Sequence, residues 1–209
     1  MNHTRKLAAL AAAIILTAQA VFAQTPARDP STRLREVLPP DVAQRVLARI
    51  ADARARSLPA EALENRALKF AAKGVNPADI ERSVNEQAAR MQTARDALAS
   101  GRGAEPAGDE VEAGAEAMRK GVDGAAVSKL AKSAPSGRSL AVPLFVIGSL
   151  TDRGLSSDQA LQSVLARLQA RASDADIESM PGDLPSQAGR ANGKPAGCSN
   201  FRGRFSRTK

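Results

Sequence analysis

The chain lacks most of the side chains on which enzyme active sites are built. Its 209 residues include one histidine, one cysteine, and neither tryptophan nor tyrosine. The histidine is His3, near the N-terminus, and the cysteine is Cys198, near the C-terminus. Ser-His-Asp triads, Cys-His pairs and zinc sites all need an imidazole or several thiolates close together. We therefore predict a protein that is not an enzyme and that holds no cofactor and no metal ion.

Residues 1–23 have the three parts of a secretory signal peptide. Arg5 and Lys6 give a positive start, and an unbroken apolar run follows from Leu7 to Leu16. Small-residue cleavage sites end at Ala20 and at Ala23, and we favour Ala23 because the sequence becomes polar and proline-containing after it. The run is shorter than the ~20 residues that span a bilayer, which disfavours an uncleaved anchor. We predict a periplasmic or secreted protein with no transmembrane segment after cleavage.

Positive charge is concentrated at the C-terminal end. Residues 24–179 contain 22 Lys plus Arg and 21 Asp plus Glu, whereas residues 180–209 contain 6 basic residues and one acidic residue, Asp183. The pI near 10.4 therefore reflects this end and not a basic face on the fold, which argues against nucleic acid as a partner. In an oxidising compartment Cys198 could cross-link two copies or stay free, and the sequence leaves both open.

Several segments carry apolar residues at helical spacing, and none shows convincing strand alternation. The clearest is the near-heptad stripe from Ile80 to Leu98. We predict an all-α domain over residues 41–179, preceded by an extended leader (24–40) and followed by a disordered basic tail (180–209). The predicted core positions of the other main helices are Val42, Val46, Leu47 and Ile50; Leu63, Ala67, Phe70 and Ala71; Val111, Ala115 and Met118; Val127 and Leu130; and Leu161, Val164, Leu165 and Leu168.

A four-residue corner recurs between the predicted helices. Its copies are Lys73–Asn76, Lys120–Asp123 and Arg153–Ser156, with a degenerate copy at Arg56–Pro59. Each full copy combines a cation near the negative end of a helix, a glycine, an aliphatic residue that folds back, and a cap for the next helix. The corners predict helix-turn-helix hairpins. We favour a single orthogonal bundle of such hairpins, and an open hairpin array is the alternative.

The segment from Ser139 to Asp152 is apolar almost all round. It is too short to cross a bilayer, so we predict a buried central helix in preference to one that inserts into a membrane. Ser139 would cap this helix, and Pro143 would then lie in the first turn. Gly148 would let a neighbouring helix approach closely. The core is expected to be aliphatic, with Phe70 and Phe145 as its aromatic members.

Four carboxylates cluster at one predicted helix start: Asp109, Glu110, Glu112 and Glu116. Glu112 and Glu116 lie one turn apart and could bind a cation such as calcium. We favour a structural role, because acidic residues stabilise a helix N-terminus. In that interpretation Asp109 is the cap and Glu112 completes a capping box.

Two further patterns resemble parts of active sites, but each lacks features that an active site needs. Ser128 and Lys132 lie one helical turn apart, but nothing around them indicates an oxyanion hole. Residues 101–103 read Gly-Arg-Gly, without the third glycine, the preceding strand or the Lys-Ser/Thr pair of a phosphate-binding loop. Neither pattern changes the prediction that the protein is not an enzyme.

The basic tail is the most promising functional element of the sequence. Arginines interleaved with Phe201 and Phe205 can be attracted to anionic lipid or to an acidic envelope glycopolymer. Our leading prediction is thus an exported interaction protein whose tail is attracted to anionic envelope surfaces. The alternative is a periplasmic adaptor or chaperone-like module that binds another envelope protein in a groove between helical hairpins. The predicted surface-binding residues are Arg190, Lys194, Arg202, Arg204, Arg207 and Lys209.

Two stretches carry a resemblance to known sequences. Residues 58–91 (LPAEALENRALKFAAKGVNPADIERSVNEQAARM) and 137–154 (GRSLAVPLFVIGSLTDRG) are similar to segments of exported bacterial all-helical proteins of unassigned function. The resemblance covers much of the predicted domain. It carries no catalytic motif, so it implies no site residues.

Overall fold

A computed structural model of the chain describes residues 30–183. Over that range no β-strand occurs, which confirms the all-α prediction. The predicted signal peptide (1–23), the six basic residues of the tail and Cys198 lie outside the described residues. The helices of residues 30–183 are α1 (Pro30–Val37), α2 (Pro40–Ala55), α3 (Ala60–Ala72), α4 (Pro77–Arg102), α5 (Gly108–Arg119), α6 (Gly124–Ser133), α7 (Ala141–Asp152), α8 (Ser157–Gln169) and α9 (Asp174–Asp183).

The principal helix contacts all join helices that are one or two apart in the chain. The even-numbered helices form a continuous series in which α2 packs on α4, α4 on α6, and α6 on α8. Among the odd-numbered helices, α1 packs on α3, α5 packs on α7, and α7 packs on α9. The long helix α4 also contacts α3 and α5, so it lies at the centre of the bundle.

The predicted corners form as expected. Gly74, Gly121 and Gly154 have φ angles of +69°, +98° and +99°, in the left-handed region that glycine adopts without a steric penalty. The residue after each glycine donates its N–H to a carbonyl five residues earlier, as Val75 does to Phe70 at 3.1 Å. This is the Schellman ending of a helix. Side chains at Asn76, Asp123 and Ser156 then accept from the first-turn N–H groups of the next helix.

The corner also occurs where no glycine is present. Ser57 in the degenerate copy has a φ of +58°, and Leu58 donates to Ala53 at 2.9 Å. A fifth corner, which the sequence did not predict, has Arg171 at a φ of +55° and Ala172 donating to Arg167. These two residues adopt a conformation that is costly for a side chain with a Cβ atom.

The predicted ends of the domain are wrong by several residues. An extended leader was expected up to residue 40, but residues 30–37 are helical, and Leu34 and Leu38 are buried. Pro40 does not break structure here, because it lies at the first position of α2, where a missing N–H costs nothing. At the other end α9 continues past residue 179 to Asp183, and Ile177 and Met180 are buried. Within the described part of the chain, helical structure therefore extends from residue 30 to residue 183.

Helix α7 is mostly buried, as predicted, but Phe145 is not part of the core. Its neighbours Leu144, Val146 and Ile147 are at most 1% exposed, whereas Phe145 is 48% exposed. The reason is geometric: α5, α8 and α9 contact α7, and one stripe of the helix remains uncovered. The Lys120 ammonium lies 5.3 Å from the centroid of the Phe145 ring and shields its face. No helix among residues 30–183 is long and apolar enough to span a membrane.

Small residues lie where helices cross most closely. A Cβ atom built on Gly148 of α7 would lie 3.0 Å from the Cα atom of Ala117 on α5, which confirms the predicted close approach. A Cβ atom on Gly101 would lie 2.5 Å from the carbonyl oxygen of Ser128 on α6. The Gly-Arg-Gly sequence at residues 101–103 is thus the end of α4 at a tight helix crossing, and its arginine has a structural role.

Candidate functional site

The carboxylate cluster at residues 109–116 is used differently from the prediction. Helix α5 starts at Gly108, and the residue at its third position is Glu110. The prediction that Glu112 completes a capping box is therefore wrong: Glu110 accepts the N–H of Ala107 at 3.2 Å. Glu112 is exposed on the next turn. The helix begins two residues earlier than the acidic pattern indicated: Ala107, which has no polar side chain, occupies the cap position in place of Asp109.

Glu110 is a buried carboxylate that joins three segments. It is 3% exposed. Its Oε1 atom accepts from the backbone N–H of Leu140 at 2.8 Å and from Nη1 of Arg102 at 2.9 Å. The Arg102 guanidinium also donates to the carbonyl oxygen of Arg138. The start of α7 is consequently tied to the end of α4 and the start of α5.

Arg138 extends this network to the last corner of the domain. Its Nη1 atom donates to the carbonyl of Ala172 at 2.8 Å, and its Nη2 atom contacts Asp174 at 2.6 Å. Two arginines thereby connect the α6–α7 loop to helices α4, α5 and α9. Because each charge has a partner, we interpret the network as structural.

A concave surface lies between α3 and α5. We call it the α3–α5 groove. It has a volume of about 750 Å³, within the ~300–1,000 Å³ range of small-molecule sites. Its walls are residues 61–70 of α3 and 108–116 of α5, and Gln87 of α4 lies at its floor. Among residues 30–183, α1 packs on α3, α5 packs on α7, and α7 packs on α9, but α3 and α5 make no principal contact. The groove lies between these two helices.

The α3 wall is basic toward its C-terminal end. Arg66 donates from Nε to Oγ of Ser83 at 2.7 Å, and its guanidinium lies 5.0 Å from the centroid of the Phe70 ring. Burial lowers the pKa of Arg66 from its ordinary value, and the nearby positive charge of Arg90 lowers it further. Arginine nevertheless stays charged at neutral pH. Lys69 is exposed on the same wall.

The α5 wall is acidic. Glu116 accepts two hydrogen bonds from Nε of Arg119, at 3.0 and 2.9 Å, and these bonds lower the pKa of its carboxyl group. Asp109 and Glu112 are exposed, as is Glu61 across the groove on α3. Within residues 30–183 these last three carboxylates form no ion pair.

The floor of the groove is polar, and its groups are satisfied. Gln87 is 5% exposed and accepts from Nη2 of Arg90 at 3.1 Å. Arg54, which also lines the groove, donates from Nη2 to the buried Glu64 carboxylate at 2.8 Å. A ligand in this groove would therefore interact chiefly with the exposed charges of the walls and with Phe70.

The other predicted positions do not form a site in the described part of the chain. Lys132 is exposed on α6, and the carbonyl of Ser128 faces Gly101. No group of three or more residues suited to a metal ion is found between residues 30 and 183. Glu116, one of the two candidate calcium ligands, is paired with Arg119.

The sequence indicated helical hairpins but not where a groove would open between them. One signal was present: α5 bears the exposed carboxylates Asp109 and Glu112 in its first turns, and α3 bears the cations Arg66 and Lys69. The separation of the two helices depends on how both pack on α4, which no local pattern reveals. No protein-family model, curated protein or solved structure matches the chain.

Proposed function

We propose that this chain is an exported, non-enzymatic interaction protein whose helical domain binds a segment of a partner protein in the α3–α5 groove. The observation that supports the proposal is that α3 and α5 make no principal contact with each other, unlike the other consecutive odd-numbered helices of residues 30–183. The even-numbered helices pack continuously from α2 to α8, and α5, α7 and α9 pack in sequence, whereas α3 and α5 leave a groove of about 750 Å³ between them.

The chemistry of the walls defines the class of partner. A bound segment would meet the cations Arg66 and Lys69 on one side and the carboxylates Asp109 and Glu112 on the other. Phe70 and Leu58 supply apolar contact. The fitting ligand is a short peptide with charges of both signs and one apolar side chain. Charged walls of this kind contribute specificity and association rate more than affinity.

The non-enzymatic part of the proposal rests on the sequence and on how the buried acids are used. After residue 23 the chain has no histidine and one cysteine. The buried carboxylates of Glu64 and Glu110 each accept from an arginine, Arg54 and Arg102 respectively. A general base needs a free lone pair within reach of substrate, and these two acids are engaged in ion pairs.

Site-specific photocrosslinking tests the groove. A photoreactive amino acid replaces exposed Asn65 on the α3 wall, and the matched control carries it at exposed Gln162 on α8. The mature protein is irradiated with an envelope extract, and the partner peptide is identified by mass spectrometry. We expect one peptide with charges of both signs to cross-link from position 65 only. This cross-link should be lost in the double variant Lys69→Glu with Glu112→Lys. Equal cross-linking from both positions, or a peptide unaffected by the charge reversal, would contradict the proposal.

A second candidate function rests on the charge of residues 190–209. Six cations and no acidic residue occur there, so we propose attraction to anionic lipid or to an acidic envelope glycopolymer. Cosedimentation with vesicles that contain phosphatidylglycerol compares the mature chain with a form ending at Asp183, which keeps residues 174–183 of α9. We expect binding by the longer form alone, and loss of that binding as salt rises. Equal binding by both forms would exclude the tail.

A further inference from the structure

The acidic end of the α3–α5 groove is a set of exposed carboxylates without cationic partners. We define it as Glu61, Asp109 and Glu112. Acidic residues on the neighbouring helices are commonly paired: Glu81 with Arg45 at 2.9 Å, and Asp79 with Arg82 at 2.8 Å. The three carboxylates of the acidic end have no such partner among residues 30–183.

The three carboxylates lie at the same end of the groove because α3 and α5 begin side by side. A Cβ atom built on Gly108 would lie 3.8 Å from Cγ of Pro59, the residue before α3. Glu61 and Asp109 are in the first turns of their helices, where the helix dipole favours an acid. Glu112 lies about one turn further along, where that effect has fallen away. It extends the negative charge along the α5 wall.

We propose that residues 190–209 of this same chain bind in the acidic end of the groove. The proposal rests on the groove being a segment-binding site and names one segment that it takes. Charge complementarity is the first argument. Residues 190–209 contain six cations and no acid, whereas residues 24–179 are nearly neutral, with 22 basic and 21 acidic residues.

The second argument is reach. Helix α9 ends at Asp183 and packs on α7, which packs on α5. Neighbouring helix axes lie ~8–10 Å apart, so α5 is about two helix spacings from α9, and the groove is on the α3 side of α5. Residues 184–209 span up to about 86 Å when extended, at ~3.3 Å per residue. The basic residues of this stretch can therefore reach the groove, and tethering gives them an effective concentration on the order of millimolar.

Intramolecular binding makes the two proposed activities compete. While residues 190–209 occupy the acidic end, a partner peptide meets a partly filled groove.

Paramagnetic relaxation enhancement on the full mature chain tests the proposal. The single cysteine, Cys198, takes a nitroxide label without any engineered substitution. We expect the amide signals of Ala62 and Ala113 to be lost near the label, while that of Gln162 on α8 remains. The loss should disappear near 1 M salt, where the Debye length is about 3 Å.

A charge-matched pair of variants gives the decisive comparison. The double variant Glu61→Gln with Glu112→Gln should restore the lost signals. The control, Asp158→Asn with Glu178→Gln, removes the same charge from exposed positions on α8 and α9 and should leave the loss unchanged. Signals that are unaffected by the label, or that stay broadened in the groove variant, would overturn the proposal.

The spin-label and cross-linking experiments together distinguish binding of residues 190–209 in the groove from binding of a partner peptide there. If the label has no effect but position 65 still cross-links to a partner peptide, the groove binds partners and residues 190–209 bind elsewhere. If the label broadens the groove signals and no partner peptide cross-links from position 65 even with anionic vesicles present, the groove serves the chain's own segment. The partner-binding function is then wrong.

Discussion

Substituting Glu110→Gln removes one negative charge from the most connected buried side chain of the domain while keeping its shape. In the native protein the carboxylate accepts from Leu140 N at 2.8 Å, Arg102 Nη1 at 2.9 Å and Ala107 N at 3.2 Å. The first two contacts use Oε1 and the third uses Oε2. A glutamine keeps one oxygen, so an amide N–H₂ group must face one of the donors.

The expected loss follows from these contacts. A buried donor left without an acceptor costs about 1–3 kcal/mol, and a hydrogen bond to a charged group is stronger than its neutral counterpart by about 1 kcal/mol. Relief of the desolvation of the Glu110 carboxylate offsets part of this loss. We therefore expect the free energy of unfolding to fall by about 2 kcal/mol. Glu112→Gln, an exposed change two residues away, should alter it by no more than about 0.5 kcal/mol.

Urea unfolding followed by far-ultraviolet circular dichroism measures both variants. Fluorescence is unsuitable because the chain has no tryptophan and no tyrosine. A decrease of less than about 0.5 kcal/mol for Glu110→Gln, equal to that of Glu112→Gln, would refute the reasoning. It would mean that desolvation of the carboxylate cancels the three hydrogen bonds.

Three further predictions follow from particular residues. Gly101→Ala should destabilise the domain by about 1–3 kcal/mol, because its methyl group would overlap the crossing of α4 and α6; a chemical denaturation midpoint no lower than that of the native protein would contradict it. Ser57→Gly should stabilise by up to about 1 kcal/mol in the same assay, because φ is +58° there, and a decrease in stability would show that the Ser57 side chain contributes more than its strain costs. The pKa of Glu116 should lie below 4.5 because Arg119 donates to the ionised carboxyl, so this pair stabilises the fold above that pH and loses its effect as pH falls through the lowered pKa. A carbon-detected NMR titration should show the Glu116 pKa rising in Arg119→Gln, and an unchanged value would contradict the assignment.

Local signals in the sequence were sufficient for most of the helices and their corners. The stripe from Ile80 to Leu98 is buried on α4, as its period predicted. The glycines of the three full corners adopt positive φ, because no other residue does so without cost. In each case the information lies in the segment that forms the feature.

The errors in the prediction arose where local chemistry permits two outcomes. Pro40 is equally suited to an extended segment and to the first turn of a helix, and burial of Leu34 and Leu38 favours the helix. Phe145 was expected in the core on hydropathy alone, but its place on α7 faces away from the neighbouring helices. The final corner has arginine where the others have glycine, so composition gave no signal for it.

The sequence by itself determined that this protein is helical, where four of its helix corners lie, and which chemistries after residue 23 lack the necessary side chains. Tertiary structure decided which acids are buried, and that α3 and α5 stand apart over α4 to leave a groove. The physical reason is the range of the interactions. Helix periodicity, capping and left-handed corners depend on neighbours in the chain, whereas the role of Glu110 depends on Leu140, thirty residues away. Contacts of that range are set by how whole helices pack, and no local pattern encodes them.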